Sequence, residues 1–489
     1  MIGRPTGKMN LTEGSVIRPL LTLSIPIMIT YAMQTAYNVA DTFWLGRIGA
    51  EAVAALSISW PLIFLIISIA GGLAIAGTTL VSQHTGAEDQ EAADFVAGQV
   101  FVLLLIVGVS FSVVGVIIAR PVMILIGAPP DVLPLATLYT QIIFAGVVLM
   151  FGFYIFQAII SGWGDTVSPM KVMLVSATLN IALDPILIFG LGPFPEMGVA
   201  GAAVATVFAR GVGSMIGFYL LFSGKKGITL NLSDMKPHLG TLSNIVRIGI
   251  PSSVEQSTLA LGFTFMMSIV AGFGTYAIAA FGIGNRISSM IFMPTMGFAM
   301  AVTIMVGQNL GARKSKRAER IGWLGTGLIF AILTIGGAFC FLFSRGLVSV
   351  FITQEDQAVI ELGSRFIRII AFGLGCVGVL RVLNGAFRGA GDTVTAMALS
   401  ILSLWVIRIP LAAFLGSEMG TDGLWWAVLL GNIGGAVGAV IVFKLGRWKR
   451  KTIHERGWKE PSTGYGECAD PSPEQSGINL IDQEDPPAS

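Results

Sequence analysis

Long apolar stretches separated by short polar breaks run through this chain and predict a bundle of membrane-crossing helices. A helix needs about 20 mostly apolar residues, at ~1.5 Å per residue, to cross the hydrocarbon core of a bilayer. The stretches that reach this length are 19–45, 52–82, 93–119, 133–161, 168–191, 199–223, 241–270, 276–308, 319–344, 360–387, 393–416 and 422–446. A polar break at 224–240 divides them into two groups of six, so the pattern predicts twelve transmembrane helices in two lobes.

The two groups of spans repeat one another in sequence. Because each group has an even number of spans, both enter the membrane in the same sense, and a pseudo-two-fold axis along the membrane normal is expected. The positions that match at a shift of about 225 residues are Ile25-Pro26 with Ile250-Pro251, Gln83 with Gln308, Gly86 with Gly311 and, two residues further, the Gly-Asp-Thr turns at 164–166 and 391–393.

The composition fits the same class. The chain is 54% hydrophobic and 12% charged, with a mean hydropathy of +0.79. A soluble domain of this size needs more polar surface, so a lipid bilayer is the expected partner. A net charge of only +2 supplies no basic surface for nucleic acid. The sequence therefore predicts an all-α integral membrane protein that does not bind nucleic acid.

Basic residues predict the orientation. If the N-terminus is cytoplasmic, the outer loops hold only Arg47, Arg120 and Arg345, and the rule that cytoplasmic loops are basic is satisfied. The inner loops then hold Lys171, Lys225, Lys226, Lys236, Arg313, Lys314, Lys316, Arg317, Arg320 and Arg388. We expect a multi-pass protein of the inner or plasma membrane, with both termini cytoplasmic.

The same pattern divides the chain into five segments. These are a cytoplasmic N-terminus (1–18), a first lobe (19–223), a cytoplasmic linker (224–240), a second lobe (241–446) and a cytoplasmic tail (447–489). The tail is rich in Pro, Ser, Gly and acidic residues after its basic start, which is typical of disorder.

Asp41 is the first residue in the spans with evident chemistry. Gln34, Tyr37 and Asn38 lie at offsets from it that place all four side chains on one stripe of span 1. An unpaired carboxylate in hydrocarbon costs at least ~2.5 to 3.5 kcal/mol, so this stripe is expected to face a cavity, a partner or a proton. The alternative is an aspartate at the helix end that reaches the outer interface near Arg47.

Span 5 carries a second polar pattern, in which Asn180 and Asp184 are one helical turn apart. Asp184 falls at about the depth of Asp41, and Thr206 on span 6 reaches a similar depth. Carboxylate, amide, hydroxyl and phenol oxygens at one depth suit a shared proton or a monovalent cation such as Na⁺. The alternative is that Asp184 only accepts hydrogen bonds that hold spans 1 and 5 together.

The spans of the second lobe carry different ionisable residues from those of the first lobe. At the shift of the repeat, Met266 replaces Asp41 and Ile409 replaces Asp184. Glu255 is the only clear carboxylate within its spans, and an ion pair with Arg286 is as good an interpretation as a role in binding. Together with Gln34, Asn38 and Gln157, Glu255 is a candidate substrate contact in a cavity. The cations within or near these spans are Arg286, Arg365, Arg368, Arg381 and Arg408.

The remaining motifs narrow the chemistry. Asp165 and Asp392, in the twin Gly-Asp-Thr turns, are expected to cap the helices that follow them. No Gly-x-x-x-x-Gly-Lys-Ser/Thr motif is present, so the chain does not itself hydrolyse ATP. An intramembrane glycosyltransferase or protease would need a Ser/His or metal-ligand cluster that the sequence lacks. We expect no enzyme activity and no cofactor.

These motifs together resemble the multidrug and toxic compound extrusion family. The resemblance covers residues 15–446. The ion site of the first lobe is similar to that of the archaeal, DinF-like members of the family. The residues that carry it are Ile25-Pro26, the run from Asn38 to Gly46, Gln83 to Ala87, the twin Gly-Asp-Thr turns, Leu179-Asn180 and Asp184-Pro185.

The resemblance implies a secondary antiporter with two six-helix lobes in a V, acting by alternating access. Such a protein exports drugs and organic cations against an inward flow of H⁺ or Na⁺, and we expect it to be a monomer. The residues that are similar to the ion-coupling residues of this family are Asp41, Tyr37, Asn180, Asp184 and Thr206. All of them except Tyr37 are candidate Na⁺ ligands. A flippase for lipid-linked precursors, from the same two-lobed superfamily, is the alternative that the second-lobe arginines leave open.

Overall fold

The computed structural model describes residues 10–352 and 356–451 of the 489-residue chain. Most of the tail that the sequence predicts to be disordered, from residue 452 onward, lies outside this range. The first lobe consists of α1 (Ile17–Gly46), α2 (Ala50–Gly86), α3 (Gln90–Ile126), α4 (Leu133–Ala145), α5 (Val147–Trp163), α6 (Val167–Phe189) and α7 (Val199–Phe222).

A linker with one 3₁₀ turn (Leu232–Met235) leads into the second lobe. The fifth membrane segment of this lobe, Thr393–Met419, contains a π-helical stretch, Leu402–Arg408, and a 3₁₀ turn (Arg447–Arg450) follows the last helix. The helices of the second lobe are α8 (Leu239–Ala271), α9 (Thr275–Gly311), α10 (Ser315–Ser349), α11 (Gln357–Ala371), α12 (Leu374–Gly389), α13 (Thr393–Ile401), α14 (Ile409–Met419) and α15 (Thr421–Leu445).

The predicted spans are confirmed. Within the described residues, ten helical segments are long and apolar enough to cross a membrane, and two bent pairs of helices bring the number to twelve. Span 4 bends by 48° between α4 and α5, and span 10 bends by 54° between α11 and α12. The bends lie at Gly146 and next to Gly373, which are equivalent positions in the two lobes. Glycine lowers the local cost of leaving the helical path.

Glycines of α2 and α9 bring the two lobes into close contact. A Cβ on Gly86 would overlap the Gln308 carbonyl oxygen, and a Cβ on Gly311 would overlap the Gln83 carbonyl oxygen. The two glutamines also cross between lobes: Gln83 Nε2 donates to the Gly389 carbonyl at 2.8 Å, and Gln308 Nε2 to the Gly162 carbonyl at 3.1 Å. Each contact has its mate in the other lobe, as a pseudo-two-fold axis requires.

These contacts lie near one face of the bundle, which we call the terminal face because α1 begins there and α15 ends there. Lys314 Nζ donates to the Thr12 carbonyl at 3.2 Å, and Lys449 pairs with Glu319 at 2.8 Å, so both described ends meet the start of α10. Two apolar clusters on this side combine residues of both lobes, for example Leu20 with Phe298 and Ile248 with Leu80.

Toward the opposite face, called the far face here, the lobes separate. The two smaller apolar clusters there, one around Ile63 and Tyr139 and the other around Met266 and Phe281, each draw their described residues from a single lobe. The architecture is therefore a pair of six-span lobes that join along the terminal half and diverge toward the far face.

The helix-capping prediction is confirmed in the first lobe. Asp165 Oδ1 accepts from the backbone N–H groups of Val167 and Ser168, both at 2.9 Å, at the start of α6. At the equivalent turn, Asp392 accepts instead from the Thr395 hydroxyl at 2.8 Å and from Lys451 Nζ at 2.7 Å. That aspartate therefore also fastens the chain beyond α15 to the start of α13.

The inter-lobe glycines give a stability prediction. Replacing Gly86 or Gly311 by Ala places a methyl group where the other lobe's backbone lies, and overpacking of this kind costs ~1 to 3 kcal/mol. We expect each variant to lower the free energy of unfolding by that amount in a dodecyl sulfate titration of mixed micelles. Gly327→Ala is the matched control, because no atom outside the neighbouring backbone of its own helix lies within 4 Å of the added carbon. Wild-type stability in both variants would contradict the close packing described.

Candidate ion site of the first lobe

The structure brings four of the predicted ion-site residues together. Asp41, near the end of α1, lies against Asp184, Asn180 and Thr206, which come from α6 and α7. Asn180 Nδ2 lies 3.3 Å from Asp184 Oδ1 and 3.3 Å from Thr206 Oγ1, so one amide group bridges both. Asp184 is 0% exposed, and the other three are also buried.

Several oxygens in this cluster have no hydrogen-bond partner within the described part of the chain. They are Asp41 Oδ1, Asn180 Oδ1 and Asp184 Oδ2. Buried polar atoms in native proteins are nearly always satisfied, so three unpartnered oxygens in one place favour a ligand that accepts their lone pairs. A proton and a monovalent cation both do so, and two carboxylates, an amide and a hydroxyl suit either of them.

Arg210 is the residue that the sequence analysis missed. It is 5% exposed on α7, one turn beyond Thr206, and its Nη2 donates to the Tyr37 hydroxyl at 2.9 Å and to Gln34 Oε1. Its guanidinium also lies over the rings of Tyr37 and Phe153, at 5.0 and 5.3 Å from their centroids. Arg210 is thus held by the stripe of α1 that carries Asp41, and its positive charge acts on the Asp41 carboxylate.

Only one of the predicted substrate contacts of the first lobe, Gln34, belongs to the hydrogen-bond network of Arg210. Gln34 donates from Nε2 to the Tyr37 hydroxyl at 2.6 Å and so belongs to the Arg210 network. Asn38 and Gln157 are half-buried on α1 and α5, and the side-chain hydrogen bonds described for the chain leave both outside this network. Tyr139, buried on α4, lies close enough to Asp41 and Asp184 to interact with them electrostatically.

Glu255 in the second lobe pairs with Arg388, and the predicted alternative of a pair with Arg286 is wrong. Arg388 Nη2 lies 2.7 Å from Glu255 Oε1, and Ser400 Oγ and Asn384 Nδ2 donate to the same carboxylate at 2.8 and 3.1 Å. The reason is that α12 continues to Gly389, which keeps Arg388 inside the lobe rather than in a loop. Arg286 is exposed on α9.

The fold and the buried charges define a class: a multi-pass membrane transporter built from two like lobes. The MatE family model matches residues 26–186 and again 251–414, once in each lobe. The chain therefore belongs to the MatE family, the multidrug and toxic compound extrusion transporters. The members of this family are secondary transporters, so this chain is a transporter and not an enzyme.

Individual relatives agree over most of the chain. The probable multidrug resistance protein YpnP of Bacillus subtilis is 28% identical, over 90% of this chain and 97% of its own length. The FAD transporter of Shewanella oneidensis is 29% identical, over 86% of this chain and 93% of its own length. A solved outward-facing conformation of a multidrug resistance MATE family transporter of the MOP superfamily superimposes with a TM-score of 0.85 at 28% identity, covering 92% of this chain and 99% of that one.

These likenesses establish a coarse function. The chain is a small-molecule transporter of the multidrug resistance type, it lies in a cell membrane, and it needs no cofactor. The twelve-span, two-lobed fold predicted from the sequence is confirmed as well.

The Glu255 contacts predict a strongly coupled pair. Removing one partner of a buried ion pair costs ~3 to 5 kcal/mol, because it leaves the other charge uncompensated. We expect Glu255→Gln and Arg388→Gln each to lower the free energy of unfolding by that order, and the double variant to lose less than the sum. The matched control is Glu361→Gln, which breaks an exposed pair with Arg365 and should leave the free energy of unfolding close to that of the wild type. Additive losses would contradict the pairing.

Proposed function

We propose that this protein exports amphipathic, often cationic organic compounds in exchange for H⁺ or Na⁺, with Asp41 and Asp184 as the coupling residues. The observation that carries the proposal is the contact between these two buried carboxyl groups, together with their unpartnered oxygens. Two ionised carboxylates next to each other away from water repel strongly. A bound cation between them relieves that repulsion, so its arrival and departure change the energy of the first lobe.

Charge balance supports a load of one monovalent ion. Asp41 and Asp184 carry two negative charges when ionised, and Arg210 carries one positive charge that acts on Asp41. The remaining single negative charge is costly to bury, and one proton or one Na⁺ neutralises it. Na⁺ would be held by Asp41, Asn180, Asp184 and Thr206, with Tyr37 held at the edge of the cluster by Arg210.

Exchange with the substrate requires only that the two ligands favour different states of the protein. The lobes meet on the terminal side and diverge on the far side, which supports a rocking motion about the shared contacts. A substrate that binds better when the cluster is ionised is displaced as the ion loads. One chain supplies both lobes and the whole cluster, which supports a functional monomer.

The coupling residues give the first functional prediction. Asp41→Asn and Asp184→Asn each remove one charge with little change in shape, and we expect each to abolish gradient-driven export in proteoliposomes. H⁺ and Na⁺ gradients are imposed separately, so that the driving ion is identified in the wild type. Asp131→Asn, in the exposed loop before α4, is the matched control and should transport normally. Full transport by either site variant would refute the assignment.

The proposed orientation, with both termini cytoplasmic, has its own test. Cys468 follows the last helix, whereas Cys340 is buried and Cys376 is half-buried within the second lobe. We expect a membrane-impermeant maleimide to label Cys468 in inverted vesicles but not in intact cells, and Cys468→Ser to remove that signal. In the Cys468→Ser background, Asp131→Cys should show the reverse pattern. Labelling of Cys468 in intact cells would place the terminal face outside.

A further inference from the structure

A cavity inside the second lobe carries the opposite charge to the first-lobe site. Its volume is about 190 Å³, and it lies between α8, α9, α12, the π-helical stretch and α15. Arg381 and Arg408 both line it, and none of the described residues that line it is acidic. Ionisable residues within transmembrane segments are costly and mark ligand or ion pathways. Two arginines around one cavity therefore need an explanation.

Protein groups leave these two positive charges largely unmatched. Arg408 Nη2 donates to the neutral Asn432 Oδ1, while its buried Nε has no partner in the described structure. The charge that acts on Arg408 most directly is that of Arg381, which repels it. Glu255 is the carboxylate near Arg381, but Arg388 already occupies it at 2.7 Å. The cavity thus has an excess of positive charge and an unpartnered donor.

The second lobe is built locally to hold Arg408 at this place. The π-helical stretch ends at Arg408, and stretches of this kind recur at functional sites. Gly431 on α15 makes room, because a Cβ there would lie 2.7 Å from Arg408 Cβ. Ser403 Oγ donates to the Gly431 carbonyl at 2.7 Å and holds the two segments together.

The repeat shows how the charge is reversed between lobes. Arg210 and Asn432 follow the N-cap glycines of α7 and α15 by the same number of residues, so a neutral amide stands where the first lobe has its guanidinium. Met266, at the position of Asp41, lines the second cavity without charge. The interiors of the two lobes therefore differ in sign: acidic groups predominate in the first-lobe site and basic groups in the second-lobe cavity.

We propose that the second-lobe cavity binds the carboxylate or phosphate group of an amphipathic organic anion. Arg381 and Arg408 hold the anionic group, since guanidinium forks match carboxylate and phosphate oxygens. Phe263, Phe281 and Met266 pack against the apolar part of the ligand. Export of the bound anion would rest on the proposed function. Its binding does not, because binding needs no ion gradient.

The test compares two probes that differ only in charge. The anion 2-naphthoate and its neutral amide, 2-naphthamide, have the same ring and nearly the same shape. Binding of each radiolabelled probe is measured on the purified full chain in uncharged detergent, without any gradient. We expect the wild type to prefer 2-naphthoate by at least roughly tenfold, as charge-assisted hydrogen bonds predict. Arg381→Gln and Arg408→Gln should each remove most of that preference.

Two further variants separate loss of the site from loss of the fold. Met266→Asp keeps both arginines but adds a carboxylate to the cavity wall, and it should abolish the preference by occupying them. Arg286→Gln removes an exposed arginine of the same lobe and should bind like the wild type. Every variant is first shown to elute as a monodisperse species in size-exclusion chromatography. Asp41→Asn should retain 2-naphthoate binding, so the failure of ion coupling and the failure of this site are distinguishable.

A competition arm distinguishes the two sources of an anionic group. Displacement of 2-naphthoate by phosphatidylglycerol, but not by phosphatidylcholine, would identify a lipid headgroup as an occupant. Resistance to both lipids would leave a soluble organic anion as the ligand class. Equal binding of the two probes without any effect of phosphatidylglycerol would overturn the proposal, as would a charge preference that survives both Arg381→Gln and Arg408→Gln.

Discussion

The contact between Asp41 and Asp184 is the constraint on which the rest of the first lobe depends. Two neighbouring buried carboxyl groups cannot both stay ionised at low cost, so the proposed cation would change the energy of the lobe when it binds between them. Asn180 bridges Asp184 and Thr206, and Arg210 holds Tyr37 in place beside them. The helices are thereby held around a group whose charge state can change.

The molecule keeps one scaffold twice and changes its chemistry between the copies. The glycine contacts between α2 and α9, and the glutamine hydrogen bonds from these two helices to α12 and α5, recur across the pseudo-two-fold axis, because backbone packing at the lobe interface tolerates little variation. The buried charged residues inside the lobes do not recur in this way. One interior combines an acidic pair with a single arginine, while the other combines a Glu255 paired with Arg388 and two arginines that line a cavity with no acidic residue among its described lining residues. The exchange proposed above needs sites that respond differently to its two ligands, and this divergence would supply them.

The sequence predicted the spans well because the thickness of a bilayer fixes their length, and apolar runs report that length directly. The bends at Gly146 and Gly373 escaped prediction, since a glycine within an apolar run does not reveal whether the helix bends there. The approach of Asp184 to Asp41 followed from equal depth in the membrane. Arg210 could have been found the same way, one turn beyond Thr206, whereas the partner of Glu255 depended on where α12 ends.

The most direct test of the account is the number of cations that one purified chain carries. Proton release and bound ²²Na⁺ are counted on the same detergent-solubilised sample, across a pH titration with and without Na⁺. The account predicts one positive charge per chain in total, held as H⁺ or exchanged for Na⁺, and its loss in Asp184→Asn. A count of zero or two in the wild type, or an unchanged count in that variant, would contradict the central claim.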